Sequence, residues 1–296
     1  MEMLPVEKRV PDSQYQDRLR YILKHGEMIK ETPQGCGAIT VFGHLPAMVF
    51  DLKNGAPLTT VRRISFWQKA VGEILAFING VRSFKELSEE WGCNWWDQWQ
   101  PKTKGFNLDS DDLGPGSYGG AFHNFPGSII LGKSFNQLKH VMEQLKGYPY
   151  VRTAFVSPWI PFYIGRGGYQ KAVVSPCHGW MHFRVINSRL DLNMWQRSAD
   201  FPVGVPANTI QYAALLMAMA QVVGYEPGRL IHSFSDAHIY EDQLPAAEEM
   251  IKREPRKLPT MKIDESVTDL FAFRPEHFSL SDYNPHPAIK GIPVRT

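Results

Sequence analysis

Residues 201–225 constrain this chain more than any other stretch, because they contain no Asp, Glu, Lys or Arg. Pro206, Asn208, Gln211 and Gln221 interrupt the run, and only 213–220 is densely apolar. That falls short of the roughly 20 apolar residues that cross a bilayer. A helix uncharged on every side and too short to span a membrane has to be enclosed by protein. The fold therefore needs a core wide enough to wrap it. A chain of 296 residues with 43% hydrophobic and 12% aromatic content can build one, which excludes wholesale disorder. Pro206 suits the first residue of this helix, which is expected to run to about Val223 and end at Gly224.

Around it, apolar residues three and four apart predict helices over 14–30, 67–79, 83–91 and 135–145. Strand-like pieces fall at 38–42, 47–50, 154–156, 180–186, 189–195 and 230–240, with Asn187-Ser188 as a hairpin turn. The order mixes α and β without a regular βαβ repeat, so a single α+β domain over 1–296 is expected. Residues 1–13 read as a flexible start. Two irregular stretches, 100–117 and 158–170, read either as ordinary surface excursions or, being long, as functional loops.

Charge narrows the partners. Lys and Arg number 32 against 30 Asp and Glu, a formal charge of +2, so there is no basic field for DNA. Cys36, Cys93 and Cys177 are too few, and odd in number, for a disulfide framework; reduced thiols in a cytoplasmic protein are expected. The first residues lack the basic start and apolar run of a signal peptide, and no membrane span is expected.

Several residues could carry chemistry. Cys177 lies beside a possible base in Ser175-Pro176-Cys177-His178. A cysteine attacks only as thiolate and needs a nearby cation, and a buried inert thiol is the alternative. Cys36 and Cys93 read as inert. Gln196-Arg197-Ser198-Ala199-Asp200 combines a guanidinium with a hydroxyl, which suits a phosphate or merely a surface ion pair. On the strand ending at Tyr240, alternation puts His232, Asp236, His238 and Tyr240 on one face. That face is a hydroxyl-binding wall or, less expected, a metal site, for which no further spaced ligand set exists. Glu73 is a lone carboxylate in an apolar helical run: a surface acid, or a proton carrier if it faces a cleft. Asn208 could read the amide edge of a ligand or cap its helix.

Together these stretches resemble the folate-dependent thymidylate synthase family. The likeness is densest from Ser175 to Ile263: Pro-Cys-His, Gln-Arg-Ser-Ala-Asp, Gly204-Val-Pro-Ala-Asn208, Asp236-Ala-His238-Ile-Tyr240 and Arg253-Glu-Pro-Arg-Lys-Leu-Pro. It extends upstream through Val41-Phe42-Gly43-His44, Glu73, Trp96-Asp97-Gln98-Trp99 and Asp112-Leu-Gly-Pro to Tyr118-Gly119, and reaches Tyr283-Asn-Pro-His-Pro-Ala-Ile-Lys290. The resemblance implies a mixed sheet flanked by helices, with the sheet packing at a homodimer interface. It implies that Cys177 adds to C6 of a pyrimidine nucleoside monophosphate, and that 5,10-methylenetetrahydrofolate donates the carbon. Arg197 would hold the phosphate and keep Cys177 ionised, with Ser198 and Gln196 in the same nucleotide site. Asn208 would read the uracil edge, and His238 and Tyr240 the sugar hydroxyl. Glu73 would organise proton transfers, Tyr118 would assist loss of the C5 proton, and His178 follows the nucleophile. Trp96, Trp99, Asp200 and Gly204 match folate-side positions, Asp200 also a catalytic one, and Arg152 matches an arginine that crosses into the partner's phosphate site. The tail, about 283–296, would close over the folate.

The match has gaps. A family arginine is replaced by Pro33, a second by Thr153, an asparagine by Ile160 and a folate-packing phenylalanine by Ala207. The tail ends Pro293-Val294-Arg295-Thr296. Arg166, in the inserted loop, is a candidate replacement for the lost cations. Methylation of a uridylate is favoured over hydroxymethylation, and a non-catalytic nucleotide- or RNA-binding role is the remote third reading.

Overall fold

The computed structural model describes residues 3–127, 132–165 and 169–295. Its first helix, α1 (Gln14–His25), stops short of the predicted Lys30. Gly26 turns extended there, its N–H donating to the Ile22 carbonyl at 2.8 Å, and a Cβ at this position would lie 2.5 Å from Ile39 Cγ2. The glycine thus lets the chain fold back as β1 (Glu27–Ile29) against β2 (Ala38–Phe42). Nor is the start loose. Met3 is buried, and buried Arg9 donates to the carbonyls of Leu4 and Leu258 and to Thr260 Oγ1.

After β3 (Met48–Asp51) come α2 (Trp67–Ile78) and α3 (Phe84–Glu89), the latter capped by Ser83, whose hydroxyl accepts from the Glu86 N–H. The loop expected over 100–117 begins as a 3-10 turn, Asp97–Phe106, and leads into α4 (Tyr118–His123). Phe135 is not helical. It belongs to a short pair, β4 (Phe125–Pro126) with β5 (Ser134–Phe135), and Asn136 caps α5 (Gln137–Gly147) through its side chain. Next come β6 (Phe155–Val156) and α6 (Pro161–Ile164), a helical turn inside the second expected loop; Arg166 lies outside the described residues.

The strands β7 (Trp180–Ile186) and β8 (Arg189–Asp200) form the predicted hairpin, but β8 runs five residues past Trp195. Polar side chains hide that extension from hydropathy; pairing with β9 (Glu226–Tyr240) makes it. Between them lies α7 (Gly204–Val223), closed by Gly224 at φ 81°. Pro206 is its third residue rather than its first, which costs nothing because N–H groups of the first turn have no helical partner. The chain closes with α8 (Leu244–Lys252) and the pair β10 (Thr260–Ile263) and β11 (Phe278–Ser281).

Among the described residues the main sheet has the order β1-β2-β9-β8-β7-β6, with β3 also on β9. β8 and β9 are parallel and every other pair is antiparallel, so α7 is the crossover that links the two parallel strands. The result is a mixed α+β single domain. Helix α7 lies between that sheet and α2, buried from Val205 to Ala220 with Ala207 as the partial exception. Its lack of charge follows: each enclosed Leu or Ile stabilises by about 1.5–3 kcal/mol, and an unpaired charge there would cost more. No described helix is long and apolar enough to cross a membrane.

Candidate active site

The crossover sets the ends of β8 and β9, the N-terminus of α7 and the turn before β7 side by side. Cys177 sits in that turn. Its carbonyl accepts from the Arg197 N–H at 2.7 Å and the Ser198 N–H at 3.2 Å, and its own N–H donates to Tyr118 Oη at 2.7 Å. Arg197 Nη2 stands 3.6 Å from Cys177 Sγ while Nε donates to the Pro176 carbonyl. The guanidinium also lies over the Trp159 ring, 5.5 Å from its centroid. Burial pushes the thiol upward and Arg197 pulls it back only in part, so the pKa is raised. Arg197 thus acts in the direction expected of it, favouring the thiolate, while burial opposes it.

His178 is not the base beside the nucleophile. Its Nδ1 pairs with Tyr212 Oη at 2.7 Å, its ring stacks on Tyr118, and burial lowers its pKa to about 3, leaving it neutral. Tyr118 is likewise held as a phenol, because burial pushes it well above its ordinary value.

Glu73, on α2, is buried rather than at the surface. Trp95 Nε1 and Trp96 Nε1 both donate to Oε1 at 2.5 Å, Cys93 Sγ lies 3.9 Å from the same oxygen, and Gln211 Nε2 donates to Oε2. Burial raises its pKa against the pull of these four donors. Asn208 Oδ1 accepts from Gln196 Nε2 and its Nδ2 donates to Gln211 Oε1, both at 3.0 Å. Its side chain does not cap the helix. Gln196 Nε2 also donates to the Ser198 carbonyl, and Gln196 Oε1 meets His232 Nε2 at 2.7 Å, whose other nitrogen faces Thr209 Oγ1. His232 therefore serves the core, apart from any metal set. Among the described residues no group of three or more His, Cys, Asp or Glu is placed to hold a metal ion.

At the far end His238 Nδ1 lies 3.3 Å from Asp236 Oδ1, which also accepts from Thr40 Oγ1. Burial opposes ionisation of Asp236, but these two partners together hold it below its ordinary value. Tyr240 packs edge-on against His238, its phenol pushed up to about 12, chiefly by burial. Asp200 accepts from the Val203 N–H and from Gln243 Nε2; its pKa is raised, again by burial first. The indoles of Trp96 and Trp99 lie 5.1 Å apart, and a Cβ on Gly204 would stand 3.5 Å from Asn208 Oδ1.

A thiol beside an arginine, an amide with one donor and one acceptor unused among the described residues, and a buried acid thus converge, and a family model for thymidylate synthase matches residues 13–294. The chain belongs to the thymidylate synthase family. Thymidylate synthase family proteins transfer a one-carbon unit to a uridylate, bind a nucleotide and a folate, and are typically dimeric.

The thymidylate synthase positions are not all drawn into one cluster. Arg152 is exposed ahead of β6, and among the described residues no hydrogen bond joins its side chain to Cys177 or Arg197. Pro33 is exposed in the turn between β1 and β2, Ile160 is buried at the start of α6, and Thr153 Oγ1 accepts from Gln144 Nε2. Sequence reasoning missed Trp95, Gln211 and Gln243 altogether. The doubled tryptophan before Asp97 was the available signal for Trp95, and a glutamine in a run that must be enclosed was the one for Gln211; for Gln243 there was none.

Proposed function

We propose that this thymidylate synthase family protein methylates deoxyuridylate at C5, and that the placement of Cys177 Sγ against Arg197 beside the oriented Asn208 amide carries the reading. Cys177, as thiolate, adds to C6 of the uracil, and the displaced electron pair makes C5 an attacking carbon. Asn208 accepts from the base N3–H and donates to O4, where negative charge collects during addition. Glu73, held by its N–H donors, steadies that end of the ring through Gln211 and water. Tyr118, kept neutral, positions a water that takes the C5 proton, and departure of Sγ from C6 restores the ring. Arg197, Ser198 and Gln196 form the nucleotide end of the site, with His238 and Tyr240 at the sugar.

The residues fit a reduced folate. Trp99 offers an indole face on Trp96, Asp200 a carboxylate acceptor, and Gly204 leaves the approach to Asn208 open. When bound, 5,10-methylenetetrahydrofolate supplies the carbon and, for methylation, a hydride. On this reading the tail shuts water out, supported by the Pro293 carbonyl, which accepts from Gln243 Nε2 that also holds Asp200, and by Arg295, which pairs with Asp242. Hydroxymethylation, with water in place of hydride, is the second reading. It is favoured by Ala207, which sets only a methyl group beside Asn208.

Incubation with deoxyuridylate and methylenetetrahydrofolate decides between them. A methylated nucleotide with dihydrofolate is expected; a hydroxymethyl product with tetrahydrofolate would replace the first reading by the second. No product from uridine or cytidine monophosphates would leave a binding protein.

The same reading includes a homodimer. On the sheet face away from α7, Trp195, Ile186 and Phe155 stay 38%, 42% and 50% exposed, and Arg197 shares that face by alternation. A second copy docked there would bring its Arg152 toward the phosphate end. Sedimentation at twice the chain mass is expected, and a monomer at micromolar concentration would remove this part.

A further inference from the structure

The amide of Asn208 can face its neighbours in two ways, and only one suits uracil. Uracil presents an N3–H donor and an O4 acceptor; cytosine presents an N3 acceptor and an N4–H donor. Turning the amide over exchanges one preference for the other, so whatever fixes the amide fixes the base.

Two glutamines hold it, and each is itself pinned by an acceptor: a backbone carbonyl for one, a carboxylate for the other. Gln196 Nε2 donates to the backbone carbonyl of Ser198 at 2.9 Å, so the end it turns toward Asn208 is a donor and Oδ1 must accept. Gln211 Nε2 donates to Oε2 of Glu73, whose other oxygen is already loaded by the N–H groups of Trp95 and Trp96. The opposite end of Gln211 is therefore Oε1, and it accepts from Asn208 Nδ2 at 3.0 Å. Gln211 is fully buried, and no other hydrogen bond of its side chain occurs among the described residues. A buried glutamine in the middle of an apolar helix has no packing reason to be there. Its two contacts supply the reason.

We propose that Gln211 is a specificity-determining positioning residue, a spacer that transmits the acceptor character of Glu73 to Asn208 and so locks the amide in its uracil-reading orientation. This rests on the assignment of Asn208 as the base reader. Gln211 acts through Asn208 and Glu73 and touches no substrate atom itself. Reversing Asn208 while Gln211 stays in place would set amide oxygen against amide oxygen on one side and nitrogen against nitrogen on the other, leaving both pairs buried and unsatisfied.

Binding of deoxyuridine and deoxycytidine 5′-monophosphates, measured by calorimetry without folate, tests it. Wild-type protein should prefer the uracil nucleotide. Gln211→Met keeps the length and volume of the side chain but makes neither bond, and the preference should fall at least tenfold. Gln211→Glu should keep it at pH 6, because the protonated carboxyl can donate to Glu73 and still turn an oxygen to Asn208. If Gln211→Met does not fold, Gln211→Ser, too short for both contacts, should show the same tenfold loss. A wild-type protein without base preference would sink the assignment of Asn208 and this inference together. A wild-type preference that survives unchanged in Gln211→Met or Gln211→Ser, with both affinities shifted alike, would overturn the inference alone.

Discussion

Cys177→Ser should lower turnover by on the order of 10⁴-fold or more while the protein folds and binds nucleotide as before. The fold should survive because it uses Cys177 through its backbone. The carbonyl ties to the Arg197 and Ser198 N–H groups and the N–H to Tyr118, whereas among the described residues Sγ makes only a 3.5 Å contact with the Ser175 carbonyl and the one with Arg197. Turnover should fail because a serine hydroxyl is far harder to ionise than a thiol, and one cation already falls short of offsetting burial for the thiol. Rates measured with deoxyuridylate and methylenetetrahydrofolate, beside a melting curve, check both halves. A serine variant with near wild-type turnover would contradict covalent addition through position 177.

The same balance sets a pH dependence. With the thiol pKa raised, the thiolate is the minor form at neutral pH, so kcat/KM should climb with pH, approaching tenfold per unit on the rising limb. Arg197 is the group that lowers the thiol, and its removal must move that limb upward. Arg197→Met should therefore shift it to higher pH, in addition to weakening nucleotide binding. A limb that stays in place would mean that Arg197 serves the nucleotide alone.

What the sequence made legible follows from which residues announce their surroundings. An uncharged run such as α7 can only be enclosed, and its central position was readable. The end of α1 was not, since Ile29 continues the helical spacing, and only the close approach of Ile39 to Gly26 shows why the helix stops. The last five residues of β8 were unreadable as strand because Gln196, Arg197, Ser198 and Asp200 are polar; their partner strand lies more than thirty residues on, and β9 makes them a strand. In the site, Cys177, Arg197 and Asn208 stood out by chemical type. Gln211 was visible as a polar residue in a run that must be enclosed, but not as a site residue, because nothing local reveals that Glu73 waits opposite it. The protonation of Cys177 and the neutrality of His178 are properties of burial, which no pair of adjacent letters encodes.

Asn208→Asp should invert much of the base preference, lowering use of deoxyuridylate relative to deoxycytidylate by about 10²-fold, or about 2.7 kcal/mol. The substitution removes the donor that meets uracil O4 and replaces it with an oxygen that can accept from the cytosine N4–H. This chain adds a complication. The new oxygen also faces Gln211 Oε1, which cannot turn away without setting its own oxygen against the Glu73 carboxylate. A second carboxylate so close to Glu73, among acceptors and out of water, will hold its proton. The protonated acid can donate to cytosine N3, whereas the ionised one offers that atom only repulsion. The ratio of cytidylate to uridylate kcat/KM should accordingly be high near pH 6 and fall as pH rises and the proton leaves, which both nucleotides at pH 6 and pH 8 would show; the rise that both share through the Cys177 thiolate cancels in the ratio. Unchanged uracil preference would count against Asn208 as the reader, and a raised ratio indifferent to pH would mean that Gln211 yields to the new carboxylate instead of opposing it.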